Sequence, residues 1–412
     1  MSKIKVGIGF ATGRKSFRRV LRTYISNWTE SGLVQDQDIS LNLYVAYDLS
    51  YNKTKEKNYT NLHPDALKHL TSVRFIGNED IDQEIDKLVK DGVFSNKKEG
   101  RIFGKGYAGK RNAVLYFAIK DEMDYLIFLD DDEYPVCVTN TRKTAVWGGQ
   151  HVLETHLKNI KDADITHGHH CGYISPIPYI DYNNSLQEKD FKLFIEAISN
   201  DIVNWHKIKS VMNDGGVTYA DTKILTQQLP YEVQAEKGMK FISGSNLCLN
   251  LKDPMRTNAF YNPPRARGED TFLSTLLNDR KVIKVPCYTF HDGFSTYNCL
   301  MEGVLPIRLS FIKADNEKVI QRFLKACIGW VRYKPLLLYI TDNDNFEIRM
   351  DLMQKQLEET IPKIVDYFKL DDFTVILNEF HKYRRNVKKH YEEFLLAKNI
   401  WEKVINNQQL KR

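Results

Sequence analysis

Over the first three hundred residues, short apolar runs alternate with stretches of helical spacing. Ile4 to Phe10 reads as a buried strand, and a basic amphipathic helix follows from about Ser16 to Trp28. Leu41 to Tyr47 and Ser72 to Ile76 read as further strands, and Ile81 to Val89 as a helix. A helix from Ala113 to Lys120 leads into an unbroken apolar run, Tyr125 to Leu129, the mark of a strand buried on both faces. Ala163 to Thr166, Lys240 to Leu251 and Val282 to Pro286 predict more strands, Thr271 to Leu277 a helix, and Asp181 to Gly216 a mostly helical stretch. This alternation predicts an α/β fold with a mainly parallel sheet and helices on both faces. From about Asn316 long amphipathic stretches take over, with breaks expected near Pro335 and Pro362. A chain of 412 residues exceeds what one core comfortably supports, so two domains are expected: an α/β domain over 1–305 and a helical region over 306–412.

Asp130, Asp131, Asp132 and Glu133 directly follow the apolar run at Tyr125. Four acids at a strand end do not belong to a core. One account is a charged surface turn. The other follows from the rule that open α/β sheets bind ligands beyond the carboxyl ends of their strands. Carboxylates gathered there repel one another unless a cation joins them, and a hard ion such as Mg²⁺ or Mn²⁺ takes one or two of them together with substrate phosphates. His291, after an apolar strand and before Asp292-Gly293, can complete such a set, or be an ordinary loop histidine.

Three further segments bear on chemistry. Gly104 to Asn112 is glycine-rich and ends with Lys110, Arg111 and Asn112 at a helix start, where N–H groups favour anions. It lacks the ending of a phosphate-binding loop of the Walker type. Glu269 and Asp270 open a helix. There they complement the helix dipole, or one of them serves as a general base toward a hydroxyl. His167, His169, His170 and Cys171 form the densest histidine cluster. Their spacing does not match the common zinc patterns, so His169 and His170 are expected to line a site for sugar hydroxyls. In a strand His167 and His169 share one face, and His170 points the other way.

Taken together these segments resemble a GT-A glycosyltransferase, most like the large inverting family of bacterial polysaccharide and cell-wall transferases. The resemblance covers about residues 3–300. Gly106-Tyr107-Ala108-Gly109-Lys110-Arg111-Asn112 is similar to the family's small-residue, Arg-Asn segment, and Phe128-Leu129-Asp130-Asp131-Asp132-Glu133 to its DXD motif. Phe241 to Asn246 resembles the strand lining the sugar and acceptor site, and Arg267-Gly268-Glu269-Asp270 the Glu-Asp motif. The resemblance implies a donor site of Thr12, Gly13, Arg14, Asp48, Lys110, Arg111, Asn112, Asp130 and Asp131. It implies a metal on Asp130, Asp132 and His291, sugar or acceptor contacts from Gly244, Ser245 and Asn246, and Asp270 with Glu269 as the catalytic pair. The implied reaction moves a sugar from a UDP-linked donor to a hydroxyl of a carbohydrate or lipid-linked acceptor, with inversion. The chain departs from the family at Ala11-Thr12-Gly13-Arg14, where Pro-Thr-Tyr-Asn is usual. It also lacks the Gln-x-x-Arg-Trp motif of processive synthases, which implies one sugar per encounter.

Composition adds location and partners. Hydrophobic residues make up 42% and charged residues 27%, ordinary for a globular protein. The net charge of +6 lies wholly in residues 381–412, which hold nine Lys/Arg against three Asp/Glu. That tail is a solvated helix face, or a contact to an anionic membrane surface or acidic acceptor. Homo-oligomerisation is the other use such helices have, and nucleic acid is not an expected partner. The six scattered cysteines argue against a disulfide framework. No run has transmembrane length and Met1 to Phe10 does not resemble a signal peptide, so a cytoplasmic protein, or one peripheral at the inner membrane face, is expected. Two rivals use the same features. A sugar-phosphate nucleotidyltransferase needs a glycine- and lysine-rich loop, of which Gly13-Arg14-Lys15 is a faint echo, and a non-catalytic carbohydrate- or membrane-binding protein needs no Asp132 with Asp270.

Overall fold

The computed structural model describes residues 3–104, 106–141, 144–199, 205–295 and 297–410. Lys105 of the glycine-rich segment and residues 200–204 of the expected helical stretch lie outside these. Among the described residues eleven strands form in chain order: β1 Ile4–Thr12, β2 Ile39–Tyr47, β3 Ser72–Ile76, β4 Tyr125–Phe128, β5 Glu133–Tyr134, β6 Val136–Thr141, β7 Thr144–Gly149, β8 Ile165–Gly172, β9 Tyr231–Glu232, β10 Leu247–Asn250 and β11 Val282–His291. The main sheet runs β3-β2-β1-β4-β10-β8-β11-β5, with β9 beside β11, while β6 and β7 make a separate hairpin.

The fold is mixed α/β, and its sheet corrects the mainly parallel expectation. β1, β2, β3 and β4 pair in parallel, as do β8 and β11, but β10 runs antiparallel to both neighbours, and β5 and β9 run antiparallel to β11. An apolar run specifies burial, not direction. Alternation along β1 divides the faces. Val6, Ile8 and Phe10 pack with Phe17, Leu21, Tyr24 and Trp28 of helix Phe17–Glu30. On the other face helix Tyr107–Lys120 comes so close to Gly9 that a Cβ there would stand 2.7 Å from Val114.

Several expected elements shift in extent. The strand expected over Lys240 to Leu251 is only β10, and β8 carries on through the histidine cluster to Gly172. Pro335 and Pro362 do not break the C-terminal helices but lie inside Glu317–Thr341 and Phe346–Phe368. Buried faces hold both helices through the lost hydrogen bond, and the breaks fall instead at Asp342–Asn345 and Lys369–Leu370. The helical region shares one core with helix Glu188–Ile198, through Phe191, Phe194, Phe323 and Leu357. The last helix, Val387–Leu410, returns to the first half of the chain. Its Trp401, Val404 and Ile405 are buried with Phe103, Val114 and Phe117. Among the described residues no helix is long and apolar enough to cross a membrane. All six cysteines are free thiols, five of them buried.

Candidate functional site

From β1 the chain proceeds to β2 on one side, while β4 flanks β1 on the other. The crevice beyond their carboxyl ends is therefore a topological switch point, where open α/β sheets take ligands. The turns after β1 and β4 meet there. Thr12 donates its hydroxyl to Asp131, and Arg14 donates to Asp131 at 3.0 Å and ion-pairs with Asp132. Thr12 and Asp131 are sealed and engage each other, so they hold the loop in shape. β11 joins from the far side, where the Asp292 N–H donates to the Asp132 carbonyl at 2.9 Å and His291 Nε2 lies 3.2 Å from the Asp132 carboxylate. His291 Nδ1 stands 2.9 Å from the Tyr173 carbonyl, which orients the ring.

Each acid is thus paired with a protein cation. Burial alone would raise the Asp132 carboxyl, but His291 and Arg14 outweigh it and hold it well below the usual range. For His291 burial works downward, and Asp132 more than compensates, so its pKa is raised. Burial pushes Asp130 up to about 7 against the pull of Arg111, and Asp131 up to about 6 against that of Arg14. Asp132 and His291 offer one carboxylate and one imidazole side by side, a mixed O/N donor pair suited to Mn²⁺. A cation that completes its shell with phosphate oxygens needs no larger protein set. The residues present fit such an ion, with Arg14 competing for Asp132. Among the described residues no three His, Cys, Asp or Glu side chains converge on one metal position.

Arg111 is the hinge of the site. Helix Tyr107–Lys120 carries it fully buried over the rings of Phe128 and Phe260. It donates to Asp130 at 2.9 Å and to the Gly244 carbonyl, and its Nε lies 3.4 Å from Glu269. Gly244 gives its N–H to Asp270 at 3.2 Å, and Asp270 also accepts from the Thr271 N–H at 2.8 Å. Burial, then the neighbouring Glu269, raises the Asp270 carboxyl to about 6. The helix can reach this depth because Gly109 has no side chain, since a Cβ there would lie 2.1 Å from the Gly104 carbonyl oxygen.

Lys110 lines a cleft of about 110 Å³ with Asp48, Gly13, Tyr51 and Tyr107. Burial lowers its pKa, and its Nζ donates to Asn78 at 3.1 Å. Asp48 closes its own turn by accepting from the Ser50 N–H and hydroxyl. The half-exposed rings of Tyr51 and Tyr107 pack edge to face in this cleft, with centroids 6.4 Å apart. Sequence reasoning missed both tyrosines, although Tyr107 lay inside the quoted segment. It also missed Arg322 of helix Glu317–Thr341, which stacks on Phe294 at 4.0 Å and whose charge feels Asp132. Nothing in an amphipathic helical pattern distinguishes that arginine.

Three expected contacts are corrected. Asn112 is 1% exposed and exchanges hydrogen bonds with both backbone groups of Phe260 while donating to the Ile102 carbonyl, so it braces the helix and reaches no donor. Asn246 is fully buried between His156 and the His169 carbonyl, and so meets no sugar. His169 lies on the opposite face of β8 from the acids, with its ring stacked 5.0 Å from Tyr288. His170 does face the cluster: its Nδ1 lies 3.2 Å from Glu133, which also accepts from the Ser245 and Thr289 hydroxyls. Burial would raise Glu133, but His170 outweighs it and the carboxyl falls to about 2. Ser245 is sealed beneath that network. Set against protein-family models and against curated proteins, the chain matches none of them.

Proposed function

We propose that the chain is a glycosyltransferase of GT-A type, moving a sugar from a UDP-linked donor to an acceptor hydroxyl with inversion. One observation carries this reading: Arg111 touches Asp130 on one side and Glu269 with the Gly244–Asp270 clamp on the other. One buried side chain therefore links the acid cluster after β4 to the Asp270 carboxylate, which supports a shared site. The nucleobase lies in the cleft lined by Tyr51 and Tyr107, against their exposed surfaces, with the diphosphate toward Arg14 and Lys110. Asp132 and His291 would hold a Mn²⁺ or Mg²⁺ ion, which neutralises charge on the departing diphosphate when bound. Asp270 takes the proton from the acceptor hydroxyl. The acceptor oxygen forms its bond to the anomeric carbon as the bond to the diphosphate breaks on the opposite face. Arg111 engages Asp130 and Glu269 and leaves the Asp270 carboxylate to its two backbone donors.

Calorimetric titration with UDP tests this. Binding is expected with Mn²⁺ and is expected to weaken at least about tenfold without it or in Asp132→Ala. A chain that binds nucleoside triphosphate but not UDP, with or without metal, would instead be a nucleotidyltransferase.

A further inference from the structure

A second charged feature lies outside this cleft. Helix Phe17–Glu30 turns a face away from the core that forms one wall of an open groove of about 680 Å³. Lys15, Arg18, Arg19 and Arg22 line it, its other residues include no Asp or Glu, and Met301 closes one side. None of these four cations has an ion-pair partner within 4 Å among the described residues. Arg18 donates to the Asn61 carbonyl, and Asp65, whose carboxylate feels the charge of Arg22, pairs with Lys68 and His63. Three residues beyond Met301 an apolar ledge begins. Val304, Leu305, Ile307 and Phe311 are about half exposed or more, and Ile307 is 72% exposed. The ledge is tied down, because the Pro306 carbonyl accepts from the Trp147 indole at 2.7 Å and the Ile307 carbonyl accepts from the Ala145 N–H at 2.9 Å.

We propose that this groove and ledge dock on an anionic lipid bilayer, with the arginines at the headgroups and the aliphatic side chains among the upper acyl chains. The Val304 N–H donates to the Cys299 carbonyl at 3.0 Å, which holds the start of the ledge to the turn carrying Met301, and cations joined to exposed aliphatic residues are the combination an interfacial anchor requires. A soluble acidic chain would use the cations and leave the ledge in water. A two-fold contact with a second copy would set this cationic groove near its own image. The face begins at Lys15, next to Arg14, so docking keeps the acidic cleft close to the membrane.

Flotation with phosphatidylcholine vesicles, with and without phosphatidylglycerol, tests this without any sugar donor. Its failure would therefore leave the transferase reading standing. The full chain is expected to float only with the anionic vesicles, and less as salt rises. Reversing Arg18, Arg19 and Arg22 to Glu should reduce partitioning more than about tenfold. Leu305→Ser with Ile307→Ser should reduce it roughly fivefold and leave the salt dependence unchanged. These side chains are exposed or half-exposed, so an unchanged melting temperature shows the variants are folded. Wild-type protein that ignores anionic vesicles would overturn the proposal. So would variants that still bind them fully, or binding lost instead on Lys388→Glu with Lys389→Glu.

Discussion

The acids after β4 and the acid at the start of helix Glu269–Ser274 stand on either side of Arg111, yet they are partnered in different ways. Asp130, Asp131 and Asp132 each have a cationic side chain within ion-pair distance: Arg111, Arg14, and Arg14 with His291. Among the described residues Asp270 accepts from two backbone N–H groups beside an acidic neighbour, and Arg111 reaches it through charge without an ion pair. Cations beside a carboxylate hold its charge, and backbone donors with a like charge nearby leave its proton exchangeable. The contrast is sharpest at Asp132, which its cations hold well below the usual range, while burial raises Asp130, Asp131 and Asp270 alike. Arg111 separates the two by engaging Asp130 and Glu269 while leaving Asp270 to Gly244.

The strongest test removes the exchangeable proton. Asp270→Asn should lower sugar transfer by about a thousandfold while metal-dependent UDP binding stays near wild type. Transfer at a normal rate would show that the two groups of acids do not divide the work this way. Next comes the partition itself. Arg111→Met strands Asp130 and Glu269 without their cation and should cost about 3–5 kcal/mol in urea unfolding. Asn112→Ala removes bonds to three backbone groups and should cost about 2–3 kcal/mol, again with UDP affinity unchanged, which would set bracing apart from binding. The smallest effect is on pH dependence. The raised carboxyl of Asp270 means that the folded chain holds this proton more tightly than the unfolded one. Its contribution is complete below the unfolded carboxylate pKa near 4 and is lost as pH rises through about 6. Denaturation at pH 4 and pH 7 should therefore show Asp270→Asn gaining about 2 kcal/mol over wild type between the two. Parallel pH curves would mean that Asp270 titrates normally.

Much of this arrangement could be read from residue order. The apolar run into Asp130 marked both the buried strand and the edge where the acids gather, because burial and charge change abruptly there. Glu269-Asp270 stood out for the same reason, at a helix start after Gly268. What could not be read depends on pairing across the chain. Arg14 and Arg111 answer the acids from 117 and 19 residues away, and no local pattern encodes such partners. Asn112 and Asn246 looked like ligand contacts because polar residues beside a motif invite that reading, but depth in the fold engages them with backbone and histidine. The direction of β10 escaped because an apolar run looks the same read either way.

Trp401 carries a consequence for how the molecule is made. Helix Tyr107–Lys120, which presents Lys110 and Arg111, is covered on its outer side by side chains almost three hundred residues further on. During synthesis the amino-terminal half therefore waits, with part of its apolar layer open to water, until the residues near 400 have emerged. A tightly folded amino-terminal fragment is not expected from any cut placed before them.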